Sequence, residues 1–465
     1  MNRYLKRVKY EQIKPPEVPK VTKPVDLTVA TMNERKAKVL QKMADEQLDV
    51  LVIYADREHG ANFGYLTGFE PRFEESILVL FADGCAKLVL GNEAVKMVDY
   101  SMIKAELVHC PYLSLPNQPM EPDKEFKDFL VTAGLKEHQR IGIVGWKLFT
   151  TKTTNNEQIY DVPYFIVEAV KTILNGTGVM KQAVGLFIDP ATGVRIINDA
   201  NEIAYFEFGA TLASEKVLNV MNQVEVGKTE LELGNELAGF GQTPNITPIC
   251  ATGDRFTNAV VAPRFKEVAL GDKFSTTLGF KGGLTSRSAY VVENEEQLPD
   301  GVKDYMARVA NPYYAAAVAW FENIRIGVTG TEMYELIEEL LPKENYDWHL
   351  NPGHYVSSDE WMASPIYRGS SIDFKSGNMF QMDIIVPVAG YGSAYAEDGV
   401  ALADENLRQE IAEKYPEIWA RIVARRAYMK DVLGIQIHDE VLPLSSIAGY
   451  FRPYLLNKGF ALTAK

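Results

Sequence analysis

The feature that most limits what this chain can fold into is that it repeats itself once. Residues 201–224, NEIAYFEFGATLASEKVLNVMNQV, have the apolar spacing of a long helix, and VGKTELELGNELAGF follows at 226–240. A second copy runs PYYAAAVAWFENIRIG at 312–327, then VTGTEMYELIEELL at 328–341. Each copy reads as a long helix, a glycine turn, a Thr-Glu helix start with Thr at the cap, and a second amphipathic helix. Strand-like stretches follow in both: KFSTTLGF (273–280) and SAYVVE (288–293), then NMFQMDIIVPV (378–388) and GVALAD (399–404). A solenoid needs at least about three repeats to bury a continuous core, so a single αα–ββ duplication predicts one pseudo-symmetric domain.

Upstream the pattern is different. A helix beginning near Asn33 runs through ERKAKVLQKMADEQ into DVLVIYA, a buried-strand run, and SILVLFADG, CAKLVLG and RIGIVG follow with helical stretches between them. At 465 residues the chain exceeds one comfortable core, which favours two large domains. The expected organisation is an arm at 1–31 holding Pro15, Pro16, Pro19 and Pro24, an α/β domain at 32–195, the duplicated domain at 196–404, and a helical extension at 405–465.

Composition removes several function classes. A formal charge of −14 with no dense Lys/Arg cluster opposes phosphate backbones, so nucleic acid is not an expected partner. No run of about 18 apolar residues exists to span a membrane, and the basic, Pro-rich start lacks the apolar core of a secretion signal. Cys85, Cys110 and Cys250 are odd in number and widely spaced, as for reduced thiols, and a cytoplasmic location is expected. Phosphate-loop, Cys-x-x-Cys, His-Glu-x-x-His and Gly-x-Ser-x-Gly patterns are absent.

Several pieces then arrive in a recognisable order: MNERKAKVLQKMADEQLDVLVI (32–53), NFGYLTGF (62–69), NDANEIAYFEFGA (198–210), VGKTELEL (226–233) and GDKFSTTLGF (271–280). Together they make residues 32–404 resemble the creatinase, prolidase and aminopeptidase P family. The resemblance implies an α/β (α+β) fold, with a creatinase-like N-terminal domain and a pita-bread C-terminal domain. Metallopeptidases of that family hold two divalent ions with two Asp, one His and two Glu, a donor set suited to manganese, cobalt or zinc, and a bridging water is the nucleophile.

Carried onto this chain, the resemblance puts Thr277 at the first Asp position and Ser286 or Arg287 at the second. His354 matches the family His, Asp383 stands in for the first Glu, and Glu397 matches the second. Trp361 falls at a second, substrate-gripping His and Tyr395 at an Arg. An Arg287 guanidinium in the pocket would repel a cation about 4 Å away by about 4 kcal/mol. The expectation is therefore that the two-ion centre is lost and no cofactor is needed, a single Mn or Zn ion on His354, Asp383 and Glu397 being the lesser alternative.

Creatinase offers the family's precedent for metal-free C–N hydrolysis. On that pattern His354 is the general acid/base, Asp383 and Glu397 orient it, and Arg255, Arg287, Trp361 and Tyr395 bind substrate. The expected activity is metal-independent hydrolysis of a small polar amide or guanidino substrate; a metal-dependent Xaa-Pro dipeptidase or aminopeptidase and a non-catalytic binding protein remain the alternatives. The expected partners are a small molecule or short peptide and a second copy of the chain, as a homodimer.

Overall fold

Residues 3–20, 23–120, 123–257 and 261–465 are described by a computed structural model. The chain divides into two compact units, residues 27–196 and residues 1–26 together with 197–465. Strand β1 (Val8–Gln12) opens the chain and belongs to the larger unit.

The smaller unit begins with the helix Val29–Asp45, capped by Thr28, whose side chain accepts from the Thr31 N–H. Its six strands are β2 (Val50–Ala55), β3 (Ser76–Phe81), β4 (Ala86–Leu90), β5 (Glu106–His109), β6 (Arg140–Val144) and β7 (Val179–Gln182), in sheet order β5-β4-β3-β2-β6-β7. β3 runs antiparallel to both β2 and β4, and the other three pairings are parallel. Every residue of VLVIYA in β2 is buried, as a central strand covered on both faces requires. On one face Val50, Val52, Ile77 and Val79 meet Phe129 and Leu130 of helix Phe126–Ala133 and Ile166 and Val170 of helix Tyr164–Leu174.

In the larger unit the duplication is visible in the backbone. Helix Ala200–Gln223 is followed by Glu230–Asn235, and helix Asn311–Asn323 by Gly330–Leu340. Both second helices start with a capping box, Thr229 with Glu232 and Thr329 with Glu332. In the second copy the cap is thus Thr329, two residues before the Thr-Glu pair expected to start the helix. The turns also bond alike. Glu230 N–H donates to Lys266 O and Val268 N–H to Lys228 O, while Gly330 N–H donates to Ile372 O and Phe374 N–H to Val328 O. Isolated bridges join Thr229 to Glu267 and Thr329 to Asp373. One set of main-chain bonds made twice is what an internal duplication predicts.

The two halves share one antiparallel sheet built from β8 (Ile249–Thr252), β9 (Lys273–Phe280), β10 (Gly283–Tyr290), β11 (His354–Tyr355), β12 (Met379–Met382), β13 (Tyr395–Leu402) and β14 (Val441–Pro443). Its order is β11-β12-β13-β10-β9-β8, with β14 also on β13, so the hairpin of the first half meets the second half at the β10–β13 seam.

The terminal segments depart from expectation. The extension is not purely helical: Ile411, Ile418 and Ile422 of its helices pack on Ala200, Ile203 and Ala204, β14 joins the main sheet, and β15 (Phe460–Ala464) pairs antiparallel with β1. Arm and extension therefore fold into the same unit as the duplicated segment. Arg7 ties the arm to helix Asn311–Asn323 by a two-pronged bond to Glu322, 2.9 Å on each side. Glu207, fully buried in helix Ala200–Gln223, takes Arg421 at 2.6 Å and Arg425 at 2.7 Å from the extension. No helix among the described residues is long and apolar enough to cross a membrane.

Candidate active site

Strand register assembles the floor of the site. Thr277 on β9 lies opposite Ser286 on β10, and Ser286 lies opposite Glu397 on β13. Met382 at the end of β12 pairs with Asp398, so Asp383, the next residue, comes up beside Glu397. Side chains of directly opposite residues share a face, which makes Thr277, Ser286, Glu397 and Asp383 neighbours in one row. All four are buried. Two hydroxyls occupy the first-half end of the row, and they are bonded to each other, Thr277 Oγ1 to Ser286 Oγ at 2.6 Å.

Arg287 faces the other way. Successive strand residues alternate sides, so Arg287 and Asp398 share the opposite face and pair at 2.8 Å. The Arg287 guanidinium also donates to the carbonyls of Ser286, Glu397, Ile447 and Tyr450, while Asp398 accepts from the Ser445 hydroxyl and the Gly449 N–H. The expected repulsion of a cation by Arg287 in the pocket is therefore corrected: the arginine is a structural tie across the β10–β13 seam. Arg255 is likewise engaged elsewhere, by the buried carboxylate of Glu230 at 2.9 Å and the Ala262 carbonyl. Neither arginine is brought to the row.

His354 is brought there by β11, where it pairs with Gln381. The preceding Gly353 has φ +123°, and a Cβ on it would stand 3.0 Å from the Gln381 carbonyl and 3.2 Å from Trp320, so only glycine fits. The fully buried ring of His354 stacks on Trp361 at 4.1 Å, and Trp361 keeps 38% of its surface in solvent as a lip. His354 Nδ1 lies 3.1 Å from the Tyr355 carbonyl, which can only accept, so this nitrogen carries a proton. Nε2 then points at Glu360 Oε1, 3.3 Å away, and Asp383 Oδ2, 3.8 Å away, and makes no hydrogen bond of normal geometry. The Tyr395 hydroxyl donates to Asp383 Oδ1 at 2.7 Å.

Electrostatically the cluster is acid-rich and buried. Burial pushes the Glu397 carboxyl well above its usual range, and the charges of Asp383, Glu360 and Asp398 push it further. Burial also raises Asp383, against the opposing pull of His354 and Tyr395. For His354 burial acts downward, but the Glu360 and Asp383 carboxylates outweigh it and the imidazole is raised. A bare Nε2 lone pair facing two carboxylates is repulsive, so something positive must lie between them.

The fold thus gathers His354, Asp383, Glu397, Tyr395 and Trp361 in one place. Glu360, absent from the sequence expectation, stands closer to Nε2 than Asp383 does. One ligand atom each from His354, Glu360 and Glu397 lie within 4.8 Å of one another. These donors suit a single divalent ion. The Thr277 and Ser286 hydroxyls do not fit the carboxylate half of a two-ion centre.

Residues 35–155 match the Creatinase/Prolidase N-terminal domain family. No curated protein matches by sequence. Among solved structures, the chain is similar to a prolidase from Pyrococcus horikoshii OT3, with TM-score 0.60 and 18% identity over 80% of this chain and 96% of that one. A recombinant prolidase from Thermococcus sibiricus gives TM-score 0.63 at 18% identity over 80% and 95%. An X-Pro aminopeptidase from Thermotoga maritima MSB8 gives 0.58 at 15% over 80% and 95%. The chain thus carries a creatinase/prolidase N-terminal domain and, over four-fifths of its length, the fold that prolidases and X-Pro aminopeptidases share.

Proposed function

We propose that this protein hydrolyses a C–N bond of a small polar substrate, of the amide or guanidino type, without a two-ion mechanism. The observation that carries the reading is the placement of His354 Nε2 between Glu360 and Asp383, beside a row whose other end is a self-bonded pair of hydroxyls. In this reading the positive species at Nε2 is a proton. The imidazolium gives it to the leaving nitrogen as water adds to the carbon, and the water proton passes to Asp383, which the Tyr395 hydroxyl holds in place. One C–O bond forms, one C–N bond breaks, and the leaving group departs as the neutral amine. Trp361 and the acidic walls favour a neutral or amine-bearing substrate, because the arginines that would have held an anion are paired elsewhere.

The test is an assay in excess chelator against Xaa-Pro dipeptides, other small amides and guanidino compounds. Turnover of at least one compound is expected, and His354→Ala is expected to lower it about 1,000-fold, within the range for a removed acid–base group. Failure of the parent protein on every compound would overturn the reading. A specific observation, the prolidase fold, favours a second reading as a metal-dependent Xaa-Pro peptidase; activity on Xaa-Pro dipeptides only after manganese addition, with two ions bound, would establish it instead.

A further inference from the structure

We propose that the second half alone forms a site for one divalent cation, with His354 Nε2, Glu360 and Glu397 as its protein ligands and Glu360 supplying the charge that the first half does not offer. The inference concerns the same pocket as the proposed hydrolysis but does not require that reaction. Its starting point is Nε2. This nitrogen is fully buried, has no hydrogen-bond partner of normal geometry, and is aimed into a cluster of carboxylates while Nδ1 is tied to the Tyr355 carbonyl. A ring nitrogen held by a carbonyl with its other nitrogen bare is the arrangement of a metal-bound imidazole.

The donors around it have the spacing an ion needs. The three ligand atoms lie within 4.8 Å of one another, and an ion about 2.1 Å from each requires them about 3–4 Å apart, so side-chain adjustments below about 1 Å close the site. Asp383 Oδ2 stands 3.8 Å from Nε2, and the Tyr395 hydroxyl on its other oxygen orients it as an outer partner. A second ion has no comparable place. Beside Glu397 it would meet the neutral hydroxyls of Ser286 and Thr277, already bonded to each other, and the charge of Arg287 and Asp398 is spent on the far face. Glu360 comes from the loop between β11 and β12, next to the Trp361 that stacks on the ligating ring, so one short segment brings both the acid and the cover of the site. An imidazole with carboxylates accommodates Zn²⁺, Mn²⁺ or Co²⁺.

The test is calorimetric titration of the chelator-treated full chain with Zn²⁺ and Mn²⁺, and with Co²⁺ followed by its visible absorption. One ion per chain is expected. Glu360→Gln is expected to weaken binding about 100-fold, and His354→Ala to abolish the Co²⁺ band, with unchanged far-UV circular dichroism in both. No stoichiometric binding, two ions per chain, or equal affinity in Glu360→Gln would each overturn the proposal. Because an ion on Nε2 occupies the lone pair that proton transfer uses, saturating Zn²⁺ is also expected to suppress any turnover measured in chelator. Stoichiometric binding by a protein with no turnover would sink the hydrolase reading and leave the cation site standing.

Discussion

The two halves of the larger unit make the same main-chain bonds and opposite chemistry. Thr229 and Thr329 cap their helices in the same way, and the bridges at Glu267 and Asp373 close both turns alike. Yet where the halves meet, the first contributes Thr277 and Ser286, and the second contributes His354, Glu360, Asp383 and Glu397. Backbone bonding and helix capping hold the scaffold, and the side chains of the row take no part in either. Scaffold and chemistry are therefore separable here, and the ionisable groups of one half can be exchanged for neutral ones without disturbing the pairing that aligns them.

Five substitutions, in four tests, break or sharpen this comparison beyond the loss expected for His354→Ala. The largest stability effect is expected at the seam. Asp398→Ala strands the buried guanidinium of Arg287, and loss of one partner of a buried pair costs about 3–5 kcal/mol. Urea denaturation measures it, and a change under about 1 kcal/mol would mean that Arg287 is not the tie described. Giving the first half an acid comes next. Ser286→Asp places a carboxylate in a buried row beside Glu397, with an expected cost of about 3 kcal/mol in chelator that divalent ions recover; equal stability in both conditions would show that the first half cannot be returned to ion binding.

The third concerns Glu207, by which the first half holds the C-terminal extension. Burial pushes this carboxyl up, but Arg425, Arg421 and the Thr211 hydroxyl outweigh it and hold the group below its ordinary value of 4.5. A depressed folded value means the stabilisation is complete above the unfolded value and is lost as pH falls through the folded one. The parent chain should therefore lose stability on acidification below about pH 5, and Glu207→Gln, weaker at neutral pH, should show a shallower acid slope in denaturation measured against pH. Parallel slopes would remove Glu207 from the acid response. The smallest effect is the sharpest comparison: Thr229→Ala and Thr329→Ala should each cost about 1 kcal/mol, and a difference above about 1 kcal/mol between them would show that the two capping boxes are not equivalent.

Much of this was legible in the sequence because it is periodic or local. The duplication declared itself through helical spacing, and His354, Asp383, Glu397, Trp361 and Tyr395 were named because the resemblance to the creatinase, prolidase and aminopeptidase P family placed them at its site positions. Arg287 misled because alignment left Ser286 and Arg287 both open at one ligand position, and only the register with Thr277 and Glu397 tells which of two consecutive residues faces the row. Glu360 sits in SSDEW, a loop with no period, so nothing but the fold brings it to His354. Glu230 is half of a Thr-Glu helix start, and its sequence context gives no hint of a buried partner for Arg255. The strand Val8–Gln12 was read as arm because VKYEQ is too polar to announce a sheet, and its partner lies at the far end of the chain.

That last pairing has a consequence for how the molecule is made. Val8 meets Ala464 and Gln12 meets Phe460, so β1, once it leaves a ribosome, waits for residues synthesised some 450 positions later. At typical elongation rates of about 5–20 residues per second the wait is tens of seconds. Throughout it β1 is an unmatched edge open to other chains. Completion of the larger unit waits on this pairing, and the interval before β15 docks is when a chaperone would have most to protect.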